Sequence, residues 1–186
     1  MTGISRHLAI EYAQIPGFRP LELDLYLPDP AARASPGPVP VVVHVHGGGW
    51  LSGEARYPAT VDGVVAWFPV TDLTTVGRPD DDDPHTREAL FLGAPPSQVP
   101  ELARAASPLT HVYAGAPPVL LLHGDSDTLV PADQSIRFAR ALQDAGGTVS
   151  LVLVPGASHF WDGADDVPGI VAQSASFAAS LVPLEV

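Results

Sequence analysis

Pro117-Pro118-Val119-Leu120-Leu121-Leu122-His123-Gly124-Asp125-Ser126-Asp127 is the stretch on which the reading of the fold turns. Apolar residues in succession, without alternation, suit a strand buried on both faces, which is the habit of a parallel sheet rather than of a hairpin. Residues 132–145 then read as a helix that stops on Gly146-Gly147, with Ile136, Ala139 and Leu142 as its inner face. Residues 149–154 form the next strand, followed by Pro155-Gly156-Ala157-Ser158-His159. Strand, helix and strand in this order predict a parallel unit, and ligands in such sheets bind outside the carboxyl ends of the strands. Asp127 and His159 each lie just past such an end. Their strands should be parallel neighbours, which brings the two side chains within or close to hydrogen-bond reach.

Upstream, Val64-Val65-Ala66-Trp67-Phe68 is another buried strand, and 39–45 a further one that runs into His46-Gly47-Gly48-Gly49-Trp50. Residues 8–14 and 21–27 predict an antiparallel hairpin with one wet face, because Leu21, Leu23, Leu25 and Leu27 alternate with Glu22, Asp24 and Tyr26 around a turn at Pro16-Gly17. Five prolines between 28 and 40 mark a loop. Short helices are expected over 86–92 and 101–106, and a closing helix over 167–181. The fold class is therefore α/β, a mostly parallel sheet with an N-terminal antiparallel hairpin, in one domain spanning 1–186.

The chain has 186 residues, 46% of them hydrophobic and 16% charged, with a mean hydropathy of +0.17. That is a globular composition, and no apolar run reaches the roughly 18 residues of a membrane span. A net charge of −12 repels nucleic acid and anionic membranes. No basic segment followed by an apolar stretch opens the chain, so the expected address is cytoplasmic. Cysteine is absent, which removes thiol chemistry and Cys-based metal sites. The acidic run 80–83 reads as a solvated loop, since four consecutive side chains do not converge on one ion. No cofactor or metal is expected.

Three glycines after a strand let backbone N–H groups approach a developing oxyanion without obstruction, so Gly47, Gly48 and Gly49 are candidate oxyanion donors. Taken singly, the same glycines would also make a tight strand-to-helix turn. Asp127 would orient a histidine, or serve as a turn or N-cap aspartate before the helix. His159 would act as general base and then general acid, or be an ordinary loop histidine. Acid followed by histidine, each after a buried strand, is the order in which hydrolases of the α/β class carry them.

Leu23-Asp24-Leu25-Tyr26-Leu27-Pro28, His46-Gly47-Gly48-Gly49-Trp50, Phe91-Leu92-Gly93-Ala94-Pro95, Ala106-Ser107-Pro108-Leu109, His123 through Asp127 and Pro155 through Phe160 stand in the order seen in one family. The chain resembles an esterase of the α/β-hydrolase superfamily, of the hormone-sensitive-lipase and BD-FAE-like, prolyl-oligopeptidase-related type. The resemblance implies a carboxylic ester hydrolase of the serine type acting on a small-molecule ester. It assigns Asp127 as the acid, His159 as the base, and the backbone of Gly47, Gly48 and Gly49 as the oxyanion hole.

One part of that pattern is missing. No Gly-x-Ser-x-Gly occurs, and between Arg56 and Asp62 the family carries two more strand-and-helix units, on the order of 60 residues, the second delivering the nucleophile. The nucleophile is therefore expected to be absent from this chain. Ser126 lies in the acid loop, Ser158 adjoins the base, and Ser52 follows the glycine loop; none ends an elbow. The missing units leave two possibilities for the sheet: 39–45 pairs directly with 64–68, or the chain is broken near 56–62. The alternative function is a non-catalytic, hydrolase-like binding protein or a truncated inactive product. Substrate identity and oligomeric state are not encoded in any motif.

Overall fold

The structure is a computed structural model that describes residues 4–13, 21–29, 31, 42, 61–76 and 82–181. The chain forms two compact units, 1–43 and 44–186. The expected strand 39–45 apart from Val42, the Gly47–Gly49 loop, Ser52, the Pro16-Gly17 turn and most of the 56–62 junction lie outside the described residues.

In the first unit, β1 (Ile4–Ala13) and β2 (Leu21–Pro28) pair antiparallel, with register shifts between His7 and Ile10 and between Glu11 and Ala13. Along β2, Leu25 and Leu27 are 37% exposed and Tyr26 55%.

In the second unit, β3 (Val64–Trp67), β4 (Val119–Gly124) and β5 (Val149–Val154) form a parallel sheet in the order β3-β4-β5. Val64 pairs with Val119 and Val119 with Val149, so the carboxyl ends of β4 and β5 coincide at Gly124 and Val154. β4 is the central strand and is buried throughout. β5 is half-buried except at Ser150 and Leu153, which are exposed. On one side of β4, Leu120 and Leu122 pack with Ala157, Trp161 and Ile170; on the other, Val119 and Leu121 pack with Ala139 and Leu142. Ile170 belongs to α4 (Val167–Ser180), whose first turn is capped by the Asp166 carboxylate accepting from Gly169 N–H.

α3 (Asp133–Asp144) ends in a paired-bond cap. Gly146, at φ +81°, donates to the Gln143 carbonyl and Gly147 donates to that of Leu142, which is the Schellman arrangement that a left-handed glycine permits. Its inner face is not the expected one. Ala139 and Leu142 are buried, but Ile136 is 42% exposed and Ser135 takes the inward position. The cause is polar: Gln134 and Ser135 are drawn inward by hydrogen bonds, which rotates Ile136 out. α1 (Arg87–Leu92) and α2 (Pro100–Ala105) pack Ala89, Leu92 and Ala103 inward, and Leu73 joins Leu92 and Ala103 in a small core.

Candidate active site

The loops after β4 and β5 are stitched together before any functional side chain is considered. Asp125 N–H donates to Val154 O (3.1 Å), Ser126 N–H to Ala157 O (3.0 Å), and Gly156 N–H to Asp125 Oδ1 (2.8 Å). Gly124 makes this approach possible, because a Cβ there would sit 2.2 Å from the Ala157 carbonyl oxygen. Two strands in register and two loops in contact fix where Asp127 and His159 meet.

They meet at 2.7 Å, His159 Nδ1 to Asp127 Oδ2. A carboxylate accepts, so Nδ1 carries the proton and Nε2 is left with a free lone pair. The Asp127 side chain is fully buried and that of His159 is 14% exposed. Asp127 Oδ1 accepts from the N–H groups of Leu129 and Val130, both at 2.9 Å. The two readings of Asp127 thus coexist: one oxygen builds the turn ahead of α3, and the other holds a histidine.

His159 sits against aromatic rings. Its centroid is 4.3 Å from that of Phe68 and 4.4 Å from that of Phe160. Phe68, Phe160 and Trp161 all have positive φ, +38°, +61° and +68°, unusual for bulky residues and costly by about 1–2 kcal/mol each. Phe68 leads into 69–76, and this segment is locked by Gln134. The Gln134 amide oxygen accepts from Thr71 N–H (2.9 Å) and Asp72 N–H (2.7 Å), and its amide nitrogen donates to Asp72 O (3.1 Å). Arg137 pairs with Asp72 and Asp133, each at 2.6 Å. Burial pushes the Asp72 carboxyl up, but hydrogen bonds from Thr74 and Arg137 and the Arg137 charge outweigh it and hold the group below its ordinary value. Ser107 Oγ, fully buried, accepts from Leu73 N–H and donates to Ala103 O.

Below Asp127 lies a second histidine. His123 is fully buried, with Nδ1 2.7 Å from Ser135 Oγ and Nε2 2.8 Å from Val130 O. Its Nε2 is also 3.5 Å from Asp127 Oδ2. Ser135, His123 and Asp127 look like a nucleophile, base and acid, but Ser135 is buried on α3 and no substrate reaches it. Ser126 donates to Asp125 Oδ1 on the surface and Ser158 precedes the base, so neither stands at a strand-to-helix elbow. Among the described residues no cluster of three or more His, Cys, Asp or Glu could hold a metal ion, and no helix is long and apolar enough to cross a membrane. Of the acidic run, Asp82 accepts from Ser97 and Asp83 from His85 N–H.

Sequence reasoning brought Asp127 and His159 together but passed over His123, Ser135, Gln134 and Thr71. A signal existed for the first: a histidine in the buried run Leu121-Leu122-His123 needs partners for both ring nitrogens.

The chain is similar to known esterases in sequence and in fold. The BD-FAE family matches residues 54–142, just under half of the chain. Esterase LipQ of Mycobacterium tuberculosis is 48% identical over 64 residues, covering 34% of this chain and 15% of that protein. A probable isoprenylcysteine alpha-carbonyl methylesterase of Arabidopsis thaliana is 38% identical over 60 residues, 32% of this chain and 13% of its own length. In structure, a truncated carbohydrate esterase from gut microbiota superposes with a TM-score of 0.59 and 28% identity, over 65% of this chain and 42% of that one. The matches span less than half the length of each of these relatives. The chain thus has the α/β fold of these esterases over the residues compared, and its sequence is similar to theirs.

Proposed function

We propose that this chain carries the acid–base half of a serine-type carboxylic ester hydrolase. The observation that supports the reading is the 2.7 Å bond from His159 Nδ1 to the buried Asp127 carboxylate, at the coincident ends of β4 and β5. In that role His159 Nε2 takes the proton of an attacking serine hydroxyl and returns it to the leaving alkoxide, while Asp127 holds the ring's tautomer and stabilises the imidazolium without being protonated itself. Gly47, Gly48 and Gly49 would donate backbone N–H groups to the oxyanion.

The serine is the component this sequence does not contain, so the chain as it stands should show no esterase turnover above the residual level left by a triad without its nucleophile. The whole enzyme, in this reading, acts on a small-molecule ester, works in the cytoplasm, needs no metal or cofactor, and binds neither nucleic acid nor membrane. The test is hydrolysis of p-nitrophenyl acetate combined with labelling by a fluorophosphonate probe. No turnover and no labelling is the expected result. Stoichiometric labelling of a serine in this chain would overturn the account of which component is missing.

A further inference from the structure

We infer that His123 is a positioning residue for the acid, holding the turn that grips one oxygen of Asp127 so that the other stays aimed at His159. The inference rests on the proposed acid–base pair and goes one layer beneath it.

The chemistry of its neighbours sets its tautomer. Val130 offers a carbonyl, which only accepts, so the His123 Nε2 at 2.8 Å must carry a proton. In the neutral ring Nδ1 is then an acceptor, and the Ser135 hydroxyl at 2.7 Å is positioned to donate to it. Burial favours the neutral form and pushes the group below the ordinary histidine value. One ring therefore links the end of β4, the 127–130 turn and the first turn of α3, and both of its hydrogen bonds are buried.

The consequence for Asp127 follows from the turn's own bonds. Val130 is held through its carbonyl by His123 and donates its N–H to Asp127 Oδ1. Leu129 donates to the same oxygen. With Oδ1 occupied twice, Oδ2 is the oxygen that receives His159, and the His123 N–H, 3.5 Å from Oδ2, adds a partial positive charge on its inner side. Without His123, the Val130 carbonyl loses its buried donor, the turn can rotate, and the carboxylate is free to present either oxygen. Ser135 matters through the same route, because the tautomer that Val130 requires leaves Nδ1 a buried acceptor, and the Ser135 hydroxyl is its donor.

The experiment uses the full chain and two nuclear magnetic resonance signatures: the low-field proton of the His159 Nδ1–H···Oδ2 bond, and the imidazole nitrogen shifts that report the His123 tautomer. Wild-type protein should show the low-field proton and a neutral His123 protonated at Nε2. His123→Leu should lose the low-field proton while the folded signals of β4 and β5 persist. His123→Gln, whose amide N–H can take the place of Nε2–H, should restore it. If His123→Leu does not fold, Ser135→Ala serves instead: it leaves Nδ1 without its buried donor, and should shift the His123 Nδ1 signal and weaken the low-field proton together. A low-field proton unchanged in folded His123→Leu or in Ser135→Ala overturns the positioning role. Failure of the underlying pair reads differently, since the low-field proton would then be missing from the wild-type protein itself.

Discussion

The loop of Asp127, the proposed acid, and the loop of His159, the proposed base, are built by opposite means. The acid loop is buried and polar: both oxygens of Asp127 are taken, His123 spends both ring nitrogens, and Ser135 and Val130 complete the set. The base loop is aromatic and strained. Phe160 and Trp161 are consecutive residues in left-handed conformations, Phe160 is 67% exposed, and the buried Trp161 Nε1 has no hydrogen-bond partner among the described residues. An acid has only to hold still, so its surroundings can be closed and fully bonded. A base has to meet a substrate, so its ring must reach the surface, and contacts that a substrate does not displace hold it from the sides.

The largest effect should come from breaking the closed loop. Asp127→Ala removes the acceptor of two backbone N–H groups and of His159, and loss of a buried, charged acceptor of this kind costs about 3 kcal/mol or more. Asp127→Asn keeps an oxygen for the turn and should cost roughly half as much. Urea unfolding of the two variants distinguishes them. Equal losses would mean that the turn does not depend on Oδ1.

Next in size is the seam between the loops. Gly124→Ala places a methyl group 2.2 Å from the Ala157 carbonyl, and backbone on both sides must move, a strain of about 1–3 kcal/mol. The low-field His159 proton should weaken with it, because the seam sets the Asp127–His159 distance. A variant as stable as the parent, with that proton intact, would show that the loops are held by something other than their close approach.

How much of this could be read in advance divides along the same line. The unit from Pro117 to Val154 was legible because each strand is a continuous apolar run and each element is punctuated by Pro117-Pro118 or Gly146-Gly147. The acid–histidine pair followed from two strand ends in a known order. What stayed hidden was the polar packing beneath it. Gln134 and Thr71 are 63 residues apart, and a side-chain bond across that distance leaves no periodicity to detect. Ile136 was misassigned inward for that reason, since apolar spacing does not reveal that Ser135 has a buried histidine to satisfy.

A smaller effect is a pH dependence confined to the acid loop. Burial lowers the His123 value below 6.5, and a charged His159 opposes protonation too, while the Val130 carbonyl and the Asp127 charge pull the other way without prevailing. The unfolded chain therefore takes up a proton that folded His123 refuses. Its contribution to stability is complete above pH 6.5 and is lost as pH falls from there through the folded-state value. Unfolding midpoints measured against pH should fall more steeply through this window in the parent than in His123→Gln. Superimposable slopes would mean that His123 is as easily charged folded as unfolded.

The smallest effect sharpens the description of the base loop, and it is a matter of sign. At most positions a glycine is less favourable than an alanine by roughly 0.5–1 kcal/mol, because its backbone has more freedom to lose. At position 160 the φ of +61° reverses this, since a Cβ in the left-handed region costs about 1–2 kcal/mol and glycine has none. Phe160→Ala and Phe160→Gly both give up the ring contacts with His159 and Phe68, so those losses cancel in a comparison of the two. What remains is the backbone term, and the glycine variant should be the more stable by roughly 1 kcal/mol. At Ala139 on α3, where Ala is native and helical, the single change Ala139→Gly should be destabilising, the ordinary order. If alanine proves the better residue at 160 as well, the turn after His159 is not held in the left-handed region, and the base is positioned by its ring neighbours and Asp127 without stored backbone strain.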